Sequence, residues 1–351
     1  MTFVAYSKSF ILTMSIFQQN TSLKPYNTFG IAVNARYFAE VITAADLQEL
    51  LNSELLHTQS LLILGGGSNV LLTKDFGGLA LKVSIPGISA VADEDEVLVT
   101  AGAGVVWNDF VNYCVQYGYA GVENLTLIPG TVGASPIQNI GAYGVELKDV
   151  FESCIGLELA SGTYKSFSHA DCRFGYRDSI FKNELKGQYL ITEVCFRLSR
   201  IAKINTQYGA IQEELANRGI STPTIADVSA VVAHIRVSKL PDPSTIGNAG
   251  SFFKNPVIDQ VDFQKIYEKF PEVVHYQVPQ GKVKLAAGWL IEQCGFKGKI
   301  VGETGTWKNQ ALVLVNHGQA TGQEVYSFSE NIINTVEAKF GVRLEREVNI
   351  L

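Results

Sequence analysis

Long runs of one charge are missing from this sequence: its 28 Lys and Arg are scattered among 34 Asp and Glu, for a net charge of −6. A surface with no basic stripe has nothing with which to displace counterions from nucleic acid, so no nucleic-acid partner is expected. No apolar stretch approaches the roughly 20 residues that cross a bilayer, so no membrane partner is expected either. The five cysteines (Cys114, Cys154, Cys172, Cys195, Cys294) are odd in number, widely spaced and without C-x-x-C. That excludes a disulfide framework and a zinc site of the usual spacing, and fits a reducing, cytoplasmic compartment. The five histidines are scattered with no H-E-x-x-H, so no metal is expected. What remains is a globular composition, 46% hydrophobic and 18% charged. Disorder, collagen and coiled coil are ruled out. At roughly 150 residues per domain the 351 residues make two domains, with three as the upper figure.

Residues 1–13 lack a proper apolar core and an A-x-A site, so they read as a leader rather than a signal peptide. Met14 is an alternative start, and the ordered chain is expected from Leu23. Apolar residues at helical spacing, with Thr43 as cap, predict a helix over 43–57. Strands are expected at 60–64, 79–85, 97–101 and 189–198, and a helix at 107–117 ahead of Gly118. The Pro/Gly-dense segment 239–250 marks the expected domain boundary. Beyond it, helices are expected at 283–294 and at 321–340, the second opening with the capping box Thr321-x-x-Glu324 and stopping at Gly341. Alternation over 342–350 predicts a final strand, with Glu347 on its polar face.

Two glycine clusters carry the chemistry. Gly65-Gly66-Gly67-Ser68-Asn69 follows a strand and offers consecutive N–H groups unobstructed by Cβ, which is what a pyrophosphate needs from backbone. It completes neither a Walker loop nor G-x-G-x-x-G, and it misses the last Gly of a nucleophile elbow. A structural turn is the competing reading. The second cluster, residues 128–144, is rich in Gly and Pro and almost free of charge, which suits backbone pressed against a large flat ligand. A buried chain crossing is its competitor. Arg177 among aromatics, Ser251 after Gly250, and Glu347 near the C-terminus each have an ordinary structural reading when taken singly.

Taken together, residues 27–31, the 65–69 loop, residues 128–144, Tyr176-Arg177-Asp178-Ser179, residues 247–256, 284–298 and 344–348 resemble the bacterial UDP-N-acetylenolpyruvoylglucosamine reductase family, from about Leu23 to the C-terminus. The resemblance implies an α+β fold with a two-part FAD-binding region of the vanillyl-alcohol-oxidase type over residues 23–240, divided near 85. It also implies a substrate domain over 241–340, a final strand 341–351 returning to the active site, and a leader reaching residue 22. It implies a monomeric enzyme of peptidoglycan precursor synthesis in which NADPH reduces noncovalent FAD, and the reduced flavin then converts UDP-N-acetylenolpyruvoylglucosamine to UDP-N-acetylmuramate.

By position, the resemblance assigns Gly65, Gly66, Gly67, Ser68 and Asn69 to the FAD pyrophosphate. Ile128, Pro129, Gly130, Thr131, Gly133, Ala134, Ile140 and Gly141 fall against the rest of the cofactor, with Arg236 nearby. Tyr208, in a loop resembling that of the type I subgroup, would close over the substrate's diphosphate with Lys239, Asn255 and Gln310. Arg177 would stabilise charge on the substrate carboxylate, Ser251 would protonate the α-carbon, and Glu347 would polarise or orient the carboxylate. Two alternatives stand beside this reading: an FAD-dependent alcohol or sugar oxidase of the same fold, and a non-catalytic nucleotide-sugar binding protein. The first loop carries no His or Cys for covalent flavin attachment, and the Arg, Ser and Glu are all present.

Overall fold

A computed structural model describes residues 15–351; the expected leader over 1–13 and the alternative start Met14 lie outside the described residues. Order begins before Leu23, which corrects the expectation of a leader reaching residue 22. Phe17–Ser22 is a strand, antiparallel to Asn34–Val41. Its Gln18-Gln19-Asn20 run is exposed, so backbone pairing at a sheet edge holds it, and no apolar alternation betrays it.

Four strands make the first sheet, in the order Phe17–Ser22, Asn34–Val41, Phe76–Val83, Leu61–Leu64, the last three mutually parallel. Residues 79–81 are buried on both faces of the sheet, as a central parallel strand requires. Two helices, Ala44–Leu51 and Glu54–Thr58, replace the single helix expected over 43–57. Thr43 caps the first in a capping box, and Ser53 caps the second, so a new N-terminus starts where the periodicity alone ran on.

The second sheet is antiparallel and five-stranded: Tyr164–Ser168, Phe151–Glu158, Tyr189–Ser199, Glu96–Gly102, Ile88–Asp93. Helix Trp107–Gln116 lays Trp107 and Phe110 against Phe196, with ring centroids 5.9 and 4.4 Å away. Gly118 follows at φ +76°, the left-handed stop expected of it.

In the C-terminal part, Gly247–Ser251, Gln310–Asn316, Thr304–Trp307 and Ile300–Val301 form a sheet covered by helix Gly322–Phe340. That helix has its capping box at Thr321 and Glu324 and its left-handed Gly341. The helix expected over 283–294 is corrected to Ala287–Gln293, because Lys282–Leu285 is a strand whose burial alternates. The final strand is also shorter than expected: only Asn349–Ile350 is a strand, parallel to Val70–Leu71. Alternation persists without it, with Val342, Leu344 and Val348 buried. One core joins the first sheet to the C-terminal helices, Leu23, Phe29 and Leu64 packing with Phe252, Leu290 and Ile332.

Candidate active site

The first glycine loop leaves the carboxyl end of Leu61–Leu64, and the second faces it across a few ångströms. A Cβ on Gly66 would stand 2.7 Å from Gly130 Cα, and one on Gly67, at φ +62°, would meet Tyr26 O at 2.0 Å, so side chains are barred from both positions. None of the backbone hydrogen bonds among the described residues is donated by Gly66, Gly67 or Ser68. Between the loops runs a cleft of about 160 Å³ lined by Gly66, Gly67, Ser68, Asn69, Pro129 and Gly130; through Gly65, Thr131, Ala134, Lys182 and Asn349 it adjoins a cavity of about 700 Å³, within the size range of cofactor sites. Thr131 Oγ1 is buried there without a partner. Free N–H groups and an orphaned hydroxyl beside closely apposed glycines fit a dinucleotide pyrophosphate. Asn69 clasps the parts together, its Nδ2 donating to Gln138 Oε1 at 2.6 Å and to Glu347 O at 3.3 Å.

At this clasp stands an ion pair. Arg177 Nε lies 3.0 Å from Glu347 Oε1, with the two side chains only 17% and 13% exposed. Arg177 also donates from Nη2 to Gly141 O at 2.6 Å, while Nη1 reaches Asn139 O only at 3.5 Å, so donors remain for a third party. The guanidinium lies 5.3 Å from the centroid of the Tyr176 ring. Arg177, Asn139 and Tyr143 all have positive φ, +53°, +46° and +50°. Left-handed backbone at non-glycine residues costs about 1–3 kcal/mol each and gathers at functional sites. Lys182 Nζ holds the Arg177 turn by donating to Arg177 O at 3.1 Å. Burial pushes the Glu347 carboxyl above the usual carboxylate range, against the opposing pull of Arg177, Lys182 and Lys254.

Ser251 is carried to the same place by backbone. It ends Gly247–Ser251, and its neighbours run antiparallel to the chain around Glu347: Glu347 N donates to Phe252 O at 2.9 Å, and Lys254 N to Glu345 O at 2.9 Å. The remaining expected residues are less concentrated. Asn255 Oδ1 accepts the N–H of Ala287 at 2.9 Å, supplying the cap that helix Ala287–Gln293 lacks of its own. Gln310 Oε1 accepts from Leu312 N at 3.2 Å, and a Cβ on the adjoining Gly288 would stand 2.8 Å from it. Tyr208 is 42% exposed and meets Tyr143 edge-on at 5.2 Å. Lys239 is exposed at the end of helix Ile225–Lys239. Arg236, on the same helix, stands near Tyr143, and its buried Nε has no partner; it does not line the cleft between the glycine loops.

Residues 242–351 match the family model described as UDP-N-acetylenolpyruvoylglucosamine reductase, C-terminal domain, and residues 35–165 match an FAD binding domain. A UDP-N-acetylenolpyruvoylglucosamine reductase of Flavobacterium johnsoniae is 50% identical over 95% of this chain and 99% of its own. One of Chromobacterium violaceum is 51% identical over 95% of this chain and 99% of its own. The chain belongs to the UDP-N-acetylenolpyruvoylglucosamine reductase family. Its fold agrees with the crystal structure of UDP-N-acetylenolpyruvylglucosamine reductase from Thermus caldophilus, with a TM-score of 0.64 over 94% of this chain and 97% of that one, at 22% identity. An α+β fold with an FAD-binding region of the vanillyl-alcohol-oxidase type and a reductase C-terminal domain is therefore present. As a member of the reductase family, the chain is an FAD-dependent oxidoreductase of cell-wall precursor synthesis, a UDP-N-acetylmuramate dehydrogenase.

In this reductase the sequence reading missed Lys182 and Lys284. Lys182 lies five residues past Arg177 in the otherwise apolar turn Ile180–Lys182, and a lone lysine there is the signal that was available. Lys284 Nζ lies 5.2 Å from the centroid of the Tyr176 ring and 5.9 Å from that of Tyr276. Its neighbours come from distant segments, so nothing in its local sequence marks it.

Proposed function

We propose that this chain reduces UDP-N-acetylenolpyruvoylglucosamine to UDP-N-acetylmuramate in the cytoplasm, with Arg177, Ser251 and Glu347 as its catalytic residues. The observation that carries the reading is the shielded Arg177–Glu347 pair, 3.0 Å apart and tied through Gly141 and Asn69 to both glycine loops. FAD, held without a covalent bond by residues 65–69 and 128–141, supplies hydride transfer from NADPH to the enolpyruvyl β-carbon. What the chain does follows from the charge that this leaves behind. Electron density builds on the α-carbon and spreads into a carboxylate that is already anionic. Arg177, charged at any working pH and with N–H donors to spare, stabilises it, and a preorganised cation in a water-poor site contributes several kcal/mol.

Ser251 then donates its hydroxyl proton to the α-carbon. A hydroxyl is a weak acid, but the carbanionic acceptor is basic enough to take its proton. Glu347 fixes the guanidinium and, with its carboxyl held above the usual range, donates to the substrate carboxylate when protonated. Tyr208, with Lys239, Asn255 and Gln310, receives the diphosphate. The Tyr208 edge contact with Tyr143 and its exposure support a ring free to swing over a ligand, as in the type I subgroup. In this division of labour residues 23–240 hold the cofactor and lend Arg177, Tyr208 and Lys239 to the substrate, and 241–340 supply the rest of the substrate site. Incubation with NADPH and the enolpyruvyl substrate tests the reading by mass spectrometry. Product heavier than substrate by two hydrogens is expected, whereas NADPH consumed with the substrate unchanged overturns it.

A further inference from the structure

Lys82 lies outside the residues that line the cleft between the glycine loops, yet it touches the first loop at its root. The parallel register sets Lys82 beside Leu64 on one side and Glu40 on the other. From there its half-buried side chain reaches past the strand end, and Nζ donates to Gly65 O at 2.6 Å. Glu40 is engaged in turn by Ser84, whose hydroxyl donates to Glu40 Oε1 at 2.6 Å. In a planar trans peptide the carbonyl and the following N–H point in opposite directions. A cation that anchors Gly65 C=O therefore turns the Gly66 N–H away from Lys82, at the first of three successive N–H groups with no backbone acceptor.

Gly66 has no side chain to hold its peptide plane, and glycine is the residue most free to rotate it. We propose that Lys82 is a positioning residue for cofactor binding: by anchoring the Gly65 carbonyl it presets the 65–69 loop to receive a diphosphate. This rests on the reading that the loop holds the FAD pyrophosphate. Without the anchor, the loop must be ordered by the ligand itself, and affinity falls by that cost. Lys82 also places a positive charge one peptide behind the anion, at a site partly shielded from water.

The test is equilibrium binding of FAD and of riboflavin, which lacks the diphosphate, to the FAD-stripped protein, followed by flavin fluorescence. The wild type binds FAD far more tightly than riboflavin. In Lys82→Met the FAD Kd rises about 10- to 100-fold, the range for losing a charged hydrogen bond, while riboflavin binding changes less than about threefold, and Lys82→Arg recovers most of the FAD affinity. Lys82→Gln serves in the same comparison if the methionine variant does not fold. An unchanged FAD Kd, or equal losses for the two ligands, overturns the role of Lys82 and leaves the loop assignment standing. A wild type that binds riboflavin as tightly as FAD overturns the loop assignment itself.

Discussion

In the reaction proposed above, Ser251 is the proton donor of the second half and Glu347 the group that orients the charge it answers. Removing the Ser251 hydroxyl leaves the cleft and the ion pair intact. In Ser251→Ala, flavin reoxidation by substrate is expected to slow about 10²–10⁴-fold, the usual worth of a general acid, while flavin reduction by NADPH stays near wild type. Stopped-flow absorbance separates the two, and equal losses in both count against the assignment. Glu347 adds a dependence on pH. Its carboxyl binds a proton more tightly folded than unfolded. Stability is therefore full below the ordinary carboxylate value and declines as pH rises through the raised one. The melting temperature of the wild type, measured relative to Glu347→Gln, should fall across that window. A difference that does not vary with pH would show that burial leaves Glu347 unperturbed.

Among the elements, the turn at residues 27–30 does more than join two strands. Thr28 N donates to Gly67 O at 3.0 Å, Asn248 N donates to Thr28 O at 3.0 Å, and Thr28 Oγ1 donates to Asn248 O at 2.6 Å. Asn316 Nδ2 completes the strap by donating to Phe29 O at 2.9 Å. One turn thus fixes the 65–69 glycine loop relative to the strand that ends at Ser251. Thr28→Val keeps the shape, removes the hydroxyl and strands the Asn248 carbonyl. It should destabilise the protein by about 1–3 kcal/mol, and Thr28→Ser should recover most of this in denaturant unfolding. Full stability in Thr28→Val would show that the strap rests on its backbone bonds alone.

At the scale of the whole molecule, what could be read from the sequence was whatever is decided locally. Thr321, Glu324 and Gly341 announce the Gly322–Phe340 helix because capping chemistry needs only its neighbours. The strand Lys282–Leu285 was absorbed into a helix, because four residues are too few to separate a period of 2 from one of 3.6. Alternation placed Glu347 on a polar face, but whether that face meets water or a guanidinium depends on Arg177, 170 positions earlier. The glycine clusters stand out in the sequence itself, whereas Lys82 and Lys182 act through single carbonyls that only the fold brings within reach. Conversely, Lys239 and Arg236 rest on family resemblance, since neither touches the Arg177–Glu347 pair. In the proposed reaction one site reduces the cofactor and then passes those electrons to an enolpyruvyl ether. The most direct test is anaerobic: bleach the bound flavin with NADPH, remove NADP⁺, and add UDP-N-acetylenolpyruvoylglucosamine. Prompt return of the oxidised flavin spectrum together with the lactyl product is the predicted result, and recovery only on admitting air would contradict it.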